Sequence, residues 1–165
     1  MDTAYKTTLE LDKIIARAVQ LCTCQETKVR MQALEPCPST EEERYALSQT
    51  DAINSLLIKN GSPRFGSVRE VRRIAAHAQK GGILSMGELL EVAATLRNFS
   101  GLSQWYGLSE HEMLPTDDLF YALAPQPVLE RQITDSILSP EEMADTASVT
   151  LQDLRRKIRQ TEDSI

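Results

Sequence analysis

The sequence predicts an all-α fold, a helical bundle that also holds a small β-hairpin. Leu, Ala, Glu, Gln and Arg are common among the 165 residues and aromatic residues make up only 5%, a composition that favours helices. Apolar residues recur at spacings of three and four, and Ser–Glu pairs of the capping-box type precede several of these runs. With 41% apolar and 25% charged residues, the chain can build one domain around a core.

The first two helices are predicted before the first proline. Asp12 is the expected cap of the first helix, whose apolar face is Leu11, Ile14, Ile15, Ala18, Val19 and Cys22. A second, short helix fits residues 25–34 and stops at Glu35-Pro36.

Residues 38–61 carry both a start signal and a stop signal for a third helix. Ser39 and Glu42 form a capping box, acidic residues fill the first turn, and Gly61 follows the last turn. The predicted apolar stripe of this helix is Leu47, Ile53, Leu56 and Leu57.

The segment RFGSVREVRRIAAHAQKGG combines arginines with glycines and predicts a fourth helix. Ser67 and Glu70 form a capping box, so the helix is expected from about Val68 to the Gly81-Gly82 pair, with Gly82 at positive φ. Its inward residues are predicted to be Val68, Val71, Ile74, Ala75 and Ala78.

A fifth helix is predicted directly after that pair. Ser85 and Glu88 form its capping box, and it is expected to run through about Phe99. The glycines are interpreted as helix ends, with the exception of Gly87 in a first turn. The core face of this helix is predicted to be Leu89, Leu90, Val92, Ala93 and Leu96.

The C-terminal third begins with a polar connection, residues 106–118, that is expected to hold a helical turn. Two short helices, 119–125 and 127–133, follow and are separated by prolines. Residues 135–148 contain a turn between short segments that pair as a small hairpin.

From about Ser148 the chain is predicted to be helical to its end, with the stripe Leu151, Leu154 and Ile158. No Gly or Pro closes this helix, so it is expected to be part of a longer one. The predicted division is therefore a helical core domain, residues 1–147, and the start of a truncated helix, residues 148–165.

Charge and hydropathy limit the function classes. The net charge is −6 and the pI is about 5.0, which argues against a dedicated nucleic-acid domain while leaving room for a local basic patch. No apolar run approaches the length of a membrane span, and the N-terminus lacks the apolar region of a signal peptide. The expected localisation is cytoplasmic, with no membrane partner.

No catalytic or cofactor-binding residue is predicted in this chain. A P-loop needs the pattern G-x-x-x-x-G-K-[ST], and nothing in the sequence matches it. Glutamates occur at residues 41–43 and 141–142, and both sets are expected at helix starts, where the dipole favours negative charge. Trp105-Tyr106 is expected to fill the core.

No metal ligand is predicted either. Cys22 and Cys24 could supply two of the four ligands of a zinc site, but a second pair of Cys or His at zinc spacing is missing. The remaining candidates, Cys37, His77 and His111, are isolated in the sequence. We expect structural or tolerated thiols rather than a disulfide framework.

The most basic segment offers the one candidate site. Arg69, Arg72 and Arg73 share one face of the fourth predicted helix by their spacing, and such a face is able to contact a nucleic-acid backbone. The alternative, which we favour, is a solvated face that pairs with acidic neighbours.

Four segments, taken together and in order, carry a family resemblance: LELDKIIARAVQLC, LEPCPSTEEERYALSQTDAI, FGSVREVRRIAAHAQKGGILSMGELLEVAATLRNF and DTASVTLQDLRRKIRQ. They resemble the N-terminal region of bacterial MutS2 proteins, the MutS paralogues of the endonuclease branch. The distinctive ordered residues are Glu35-Pro36, Ser39, Gly66, Arg69-Glu70, Arg72, Gly82, Leu84, Glu88-Leu89-Leu90 and Ala147-Ser148. The chain departs from the family pattern at Arg73, where a proline is common, and around residues 103–118.

The resemblance implies a MutS core-type helical domain followed, at residues 148–165, by the start of a long lever helix. Family members continue into lever and clamp helices, an ATPase that dimerises and uses ATP and Mg, and usually a C-terminal nuclease domain. The family is linked to suppression of homologous recombination through branched DNA, to processes like DNA mismatch repair, and to the splitting of collided ribosomes. Its ATPase and nuclease residues lie outside this chain.

Three functions follow from these observations. The first is a non-catalytic coupling domain of a DNA- or ribosome-acting ATPase, whose partners are the rest of the parent chain and, through it, DNA, the ribosome and a second subunit. The second is a stand-alone helical adaptor that binds a partner helix. The third is a small nucleic-acid binder that uses the arginine face.

Overall fold

Helices form most of the chain in a computed structural model, which describes residues 8–64, 66, 71–108 and 110–163. The described helices are α1 (Leu11–Leu21), α2 (Gln25–Gln32), α3 (Thr40–Asn60), α4 (Arg72–Gln79), α5 (Met86–Tyr106), α6 (Asp117–Tyr121), α7 (Pro127–Ser136) and α8 (Val149–Glu162). Strands β1 (Ile137–Ser139) and β2 (Glu142–Met143) pair antiparallel, and a 3₁₀ turn, Asp145–Ala147, precedes α8. The predicted all-α fold with a small hairpin is confirmed.

Serine caps fix the start of three helices. The Ser39 side chain accepts a hydrogen bond from the Glu42 amide at the start of α3, and Ser148 accepts one from Leu151 at the start of α8. At α5 both halves of the predicted capping box are present, since the Glu88 carboxylate also accepts from the Ser85 amide at 2.9 Å. Each cap satisfies an amide that the helix itself leaves unpaired.

Two helix starts differ from their predictions. Asp12 lies inside the first turn of α1 and does not cap it, because the chain enters the helix through Glu10 at φ 55. Helix α4 begins at Arg72, and Val71, which was predicted to lie inside the helix, is its N-cap residue. The capping box predicted for this helix, Ser67 and Glu70, lies outside the described residues.

Three further boundaries moved for identifiable reasons. Helix α5 continues past Phe99 and through Gly101 to Tyr106, because its last turn buries two aromatic side chains. Helix α6 begins at Asp117, earlier than residues 119–125 predict, and the prolines confine it to five residues. Helix α7 begins with Pro127 in its first turn and extends to Ser136.

Two core clusters lie along α5. Near its C-terminal end, Leu56 of α3 is buried with Trp105 and Tyr106, and Ile53, Leu57, Leu114 and Phe120 pack around them. In its N-terminal half, Ala93 is buried with Ile133 of α7 and Ile137 of β1, and Met86, Leu89, Leu90 and Val92 pack around them. The prediction that Trp105-Tyr106 fills the core is confirmed.

Several residues that the apolar spacing assigns to the core face solvent instead. Leu47 is 57% exposed, and the other residues predicted inward but found exposed are Ile14, Ala75, Ala78, Leu154 and Ile158. The whole chain has an accessible surface of 12716 Å². A compact monomer of 18.5 kDa would expose roughly 8,200 Å². The total accessible surface is therefore larger than that of a compact monomer, and many large apolar side chains are exposed.

None of the described helices is long and apolar enough to cross a membrane. The predicted boundary between residues 147 and 148 stays a prediction; α8 makes its main contacts with the 3₁₀ turn just before it.

Candidate functional site

The structure describes two of the three arginines predicted to contact nucleic acid, so the helical face they were predicted to share with Arg69 stays a prediction. Arg69 lies outside the described residues, and α4 includes only Arg72 and Arg73, both exposed. The Arg72 guanidinium lies 3.1 Å from the Glu26 carboxylate of α2, although its side chain is 79% exposed. This ion pair joins α2 to α4 and offsets one positive charge, which is the behaviour expected of a solvated face.

The glycine amides near these arginines are already used within the fold. The Gly81 amide donates to the carbonyl of Ala78 at 2.9 Å and the Gly82 amide to the carbonyl of His77 at 3.0 Å, the two bonds of a Schellman helix end. The Gly66 amide donates to the Asn98 side chain of α5 at 2.9 Å. These three amides therefore do not form an open cradle for phosphate.

A buried polar network lies at the C-terminal end of α5. The Tyr106 hydroxyl donates to Oδ1 of Asp117 at 2.7 Å and lies 2.8 Å from the Thr116 hydroxyl. Because the phenol has only one proton to donate, the Thr116 hydroxyl is the donor to Tyr106. Oδ2 of Asp117 accepts from the Leu114 amide. Burial of the phenol is the larger cause that raises the pKa of Tyr106 to about 12, and the hydrogen bond to Asp117 is the next. The phenol is therefore held neutral.

Aromatic contacts complete the packing around this phenol. The Tyr106 ring stacks on Phe120 with centroids 3.9 Å apart, and the His111 ring lies 4.8 Å from it in a T-shaped arrangement. Tyr45 and Gln49 of α3 both donate to the carbonyl of Pro115. The contacts hold the connection between α5 and α6 against α3, so the network has a structural role.

A second tie joins the ends of α3 and α5. The Trp105 indole donates to the carbonyl of Gly61 at 2.8 Å, and the Asn60 side chain donates to the carbonyl of Trp105 at 3.1 Å. Gly61 has φ 71 and closes α3 as predicted. The two helix ends are thereby locked together by reciprocal hydrogen bonds.

The arginines of α8 bind the chain just before that helix. Arg155 donates to both Asp145 and the carbonyl of Met143, and Arg159 donates to the second Asp145 oxygen at 2.9 Å. The hydrogen bond from Arg155, and then that from Arg159, lowers the pKa of Asp145. These cations therefore anchor α8 to the 3₁₀ turn.

The carboxylates and thiols do not assemble into a metal site in the described part of the chain. There, no group of three or more His, Cys, Asp or Glu side chains is placed to hold a metal ion. Cys22, Cys24 and Cys37 are free thiols. Residues 41–43 fill the first turn of α3 as predicted, but the prediction for 141–142 is wrong, because Glu141 lies in the hairpin turn and Glu142 in β2.

Sequence reasoning missed the Tyr106, Thr116 and Asp117 network. The available signal was weak: an aromatic pair at a helix end, followed about ten residues later by Thr-Asp-Asp at the start of a short helix. The apolar periodicity of one helix does not show which other elements that helix contacts. The connection between α5 and α6 has no regular sequence pattern that would predict its contacts.

No family model matches the chain, but curated relatives do. It is 30% identical over 159 residues to a protein of Clostridium beijerinckii and 31% identical over 163 residues to one of Acetivibrio thermocellus, both named Endonuclease MutS2. A Clostridium botulinum protein of the same name is 30% identical over 159 residues. Each comparison covers 95% of this chain and 20% of the relative, so the chain spans about one fifth of the length of these proteins.

Proposed function

Because the chain belongs to the MutS2 family as the counterpart of its N-terminal region, we propose that it is a non-catalytic core domain of a MutS-type protein. The observation that carries this proposal is the similarity over 95% of the chain, which covers only 20% of each relative. Chemistry that the whole protein performs is proposed to belong to the other four fifths.

The open apolar surface supports a role within a larger assembly. The accessible area exceeds that of a compact monomer of this mass by more than half, on the order of 4,500 Å². Many large apolar side chains are exposed, and exposed apolar patches mark interaction sites. We assign those away from α3 to contacts with the rest of the parent protein.

Within that assembly the domain acts as a rigid coupler. Helix α5 is 21 residues long, about 31 Å at 1.5 Å per residue, and it carries one core cluster near each end. A displacement at one cluster reaches the other through a single packed rod. ATP-driven motion of the parent would be passed along this rod to its substrate-binding parts.

The finer roles come from the family resemblance and are part of the proposal. The parent is a DNA-binding ATPase and endonuclease that uses ATP and Mg and dimerises through its ATPase. Its actions are suppression of homologous recombination, processes like mismatch repair, and the splitting of collided ribosomes. The domain itself holds none of the ATPase or nuclease residues.

The reading frame that encodes the chain gives the first test. We expect it to continue into an ATPase with a P-loop. The alternative is a stand-alone helical adaptor, which the same exposed apolar surface would suit. A stop codon directly after Ile165 in the native gene would refute the coupler and favour the adaptor.

Coupling is then tested in the full-length parent. Leu56→Ala loosens the cluster at the C-terminal end of α5, so DNA- or ribosome-stimulated ATP hydrolysis should fall more than unstimulated hydrolysis. Leu138→Ala, at an exposed position of β1, is the control and should change neither rate. Equal loss of both rates in the Leu56 variant would refute coupling through this cluster.

A further inference from the structure

Two shallow grooves flank α3 and share a low ridge. One, about 670 Å³, lies between α3 and α6 and includes Gln49, Ile53, Leu57 and Leu119. The other, about 460 Å³, lies between α3 and the segment before it and includes Leu34, Glu43 and Leu47. Ala46 and Thr50 line both, so we name this surface, with all these residues, the α3 double groove.

The ridge and floor of the α3 double groove expose mainly apolar surface, and three of their polar side chains are engaged within the fold. The Thr50 hydroxyl donates to the carbonyl of Ala46, which satisfies its polar atom within the helix. The Gln49 amide donates to Pro115, and the Thr116 hydroxyl is engaged by Tyr106. A ligand therefore does not have to replace water on these three groups, and their hydrogen bonds hold this part of the floor in place.

Large apolar side chains flank this floor and face solvent. Leu34 is 51% exposed, Leu47 57% and Leu119 58%. They come from three different segments, which α3 brings to one surface. Covering these half-exposed leucines removes apolar area from water, so an apolar partner has a favourable contact along the whole surface.

The charges that line the α3 double groove have one sign. Glu43, Asp51 and Glu35 are the charged lining residues, and no Lys or Arg is among the lining residues of either groove. Glu43 and Asp51 lie eight residues apart on α3, about 12 Å along its axis. An apolar floor with acidic residues at its edges is complementary to an apolar stripe flanked by cations.

We propose that the α3 double groove binds a basic amphipathic helix of a partner protein. The leucines of that helix cover Leu47, Leu119 and the Ala46–Thr50 ridge, and its Lys or Arg side chains face Glu43 and Asp51. Helix-in-groove recognition of this kind is read through apolar residues at helical spacing. The proposal concerns this chain alone and does not depend on the function of the parent.

The probe is a 14-residue peptide of Leu and Lys with the Leu residues along one helical face, compared with a peptide in which Glu replaces Lys. Binding to the 165-residue chain is measured by calorimetry at two salt concentrations. The Lys peptide should bind and weaken with salt, and the Glu peptide should bind at least tenfold more weakly. Equal binding of the two peptides, or no binding of the Lys peptide, would overturn the proposal.

Variants locate the site. Glu43→Lys with Asp51→Lys should weaken the Lys peptide by about tenfold, since each exposed pair is worth up to about 1 kcal/mol. The matched control, Glu110→Lys with Glu141→Lys, changes the net charge equally at exposed positions outside the grooves and should have little effect. Leu47→Ser with Leu119→Ser should also weaken binding without changing the thermal midpoint greatly.

Two outcomes would overturn the assignment of the α3 double groove to a partner helix. Equal losses in the paired and control charge variants would show that only net charge matters, which refutes a site. Self-association of the wild-type chain in sedimentation, abolished by the Glu43 and Asp51 changes, would make a second copy the occupant and overturn the assignment to a partner protein.

Discussion

Gly81 and Gly82 are adjacent, but each position requires glycine for a different physical reason. Gly81 has φ 81, where a side chain is strained, while Gly82 does not lie in the left-handed region. A Cβ at Gly82 would instead meet the ring of His77. The prediction that Gly82 takes the positive φ is therefore wrong by one residue, because the helix ends at Gln79 and places Gly81 at the position that needs it.

We expect Gly81→Ala to lower the free energy of unfolding by about 1 kcal/mol, because alanine is strained at positive φ. Gly82→Ala should cost less, since the exposed His77 ring can turn away. Urea denaturation measures both variants. In a His77→Ala background the Gly82 change should lose its cost, and a cost that persisted there would contradict the steric explanation.

Tyr106 gives the folded chain a pH signature in the alkaline range. Its pKa is raised from 10.0 to about 12 in the folded chain. A raised folded pKa means that the stabilisation is fully present below pH 10 and is lost as the pH rises towards 12. The sign follows because the unfolded chain loses this proton first.

We expect Tyr106→Phe to lower the free energy of unfolding at pH 7 by about 1–3 kcal/mol, because Asp117 and Thr116 lose a hydrogen-bond partner. The difference between wild type and variant should shrink as the pH rises from 9 to 12, by up to about 2–3 kcal/mol. Urea denaturation at several pH values measures this difference. A difference that does not change with pH would contradict the raised pKa of the Tyr106 phenol.

Among the elements, α8 depends on charge more than on apolar packing. Leu154 and Ile158 of the predicted stripe are exposed, and Asp145 holds the helix through Arg155 and Arg159. The lowered pKa of Asp145 means that this anchor is present above the ordinary pKa of 3.8 and weakens as the pH falls through the folded value.

Asp145→Asn should therefore speed hydrogen exchange along α8 and leave exchange in α5 unchanged. Asp153→Asn, which removes an exposed pair with Arg156 within α8, serves as the control and should have a smaller effect. In the wild type, amides near Leu151 should exchange slowly and those after Gln160 quickly. Strong protection that continued to residue 163 would argue against anchoring by Asp145.

For the whole molecule, we expect that the isolated chain does not bind Mg-ATP. The sequence has no P-loop, and the amides of Gly66, Gly81 and Gly82 are occupied by hydrogen bonds within the fold. Titration calorimetry should show no saturable heat. A site of micromolar affinity would refute the assignment of ATP chemistry to the rest of the parent protein.

The sequence by itself determined where α3 and α5 begin and where α3 ends, because capping effects act between residues close in the chain. The Ser39 and Ser85 caps were placed correctly for this reason, and the structure adds a third cap at Ser148. The family was also recognised from the sequence, and the relatives confirm it. The arginine contact with nucleic acid stays a prediction.

Only the tertiary structure decided which apolar faces are buried and what the connection between α5 and α6 does. Helical spacing assigns Leu47 and Leu154 to a core, but burial depends on which element packs against them, and both are exposed. Tyr106 meets Thr116 and Asp117 because the chain folds back after α5. The α3 double groove likewise joins segments far apart in sequence, and contacts between elements leave no periodic signal in any one of them.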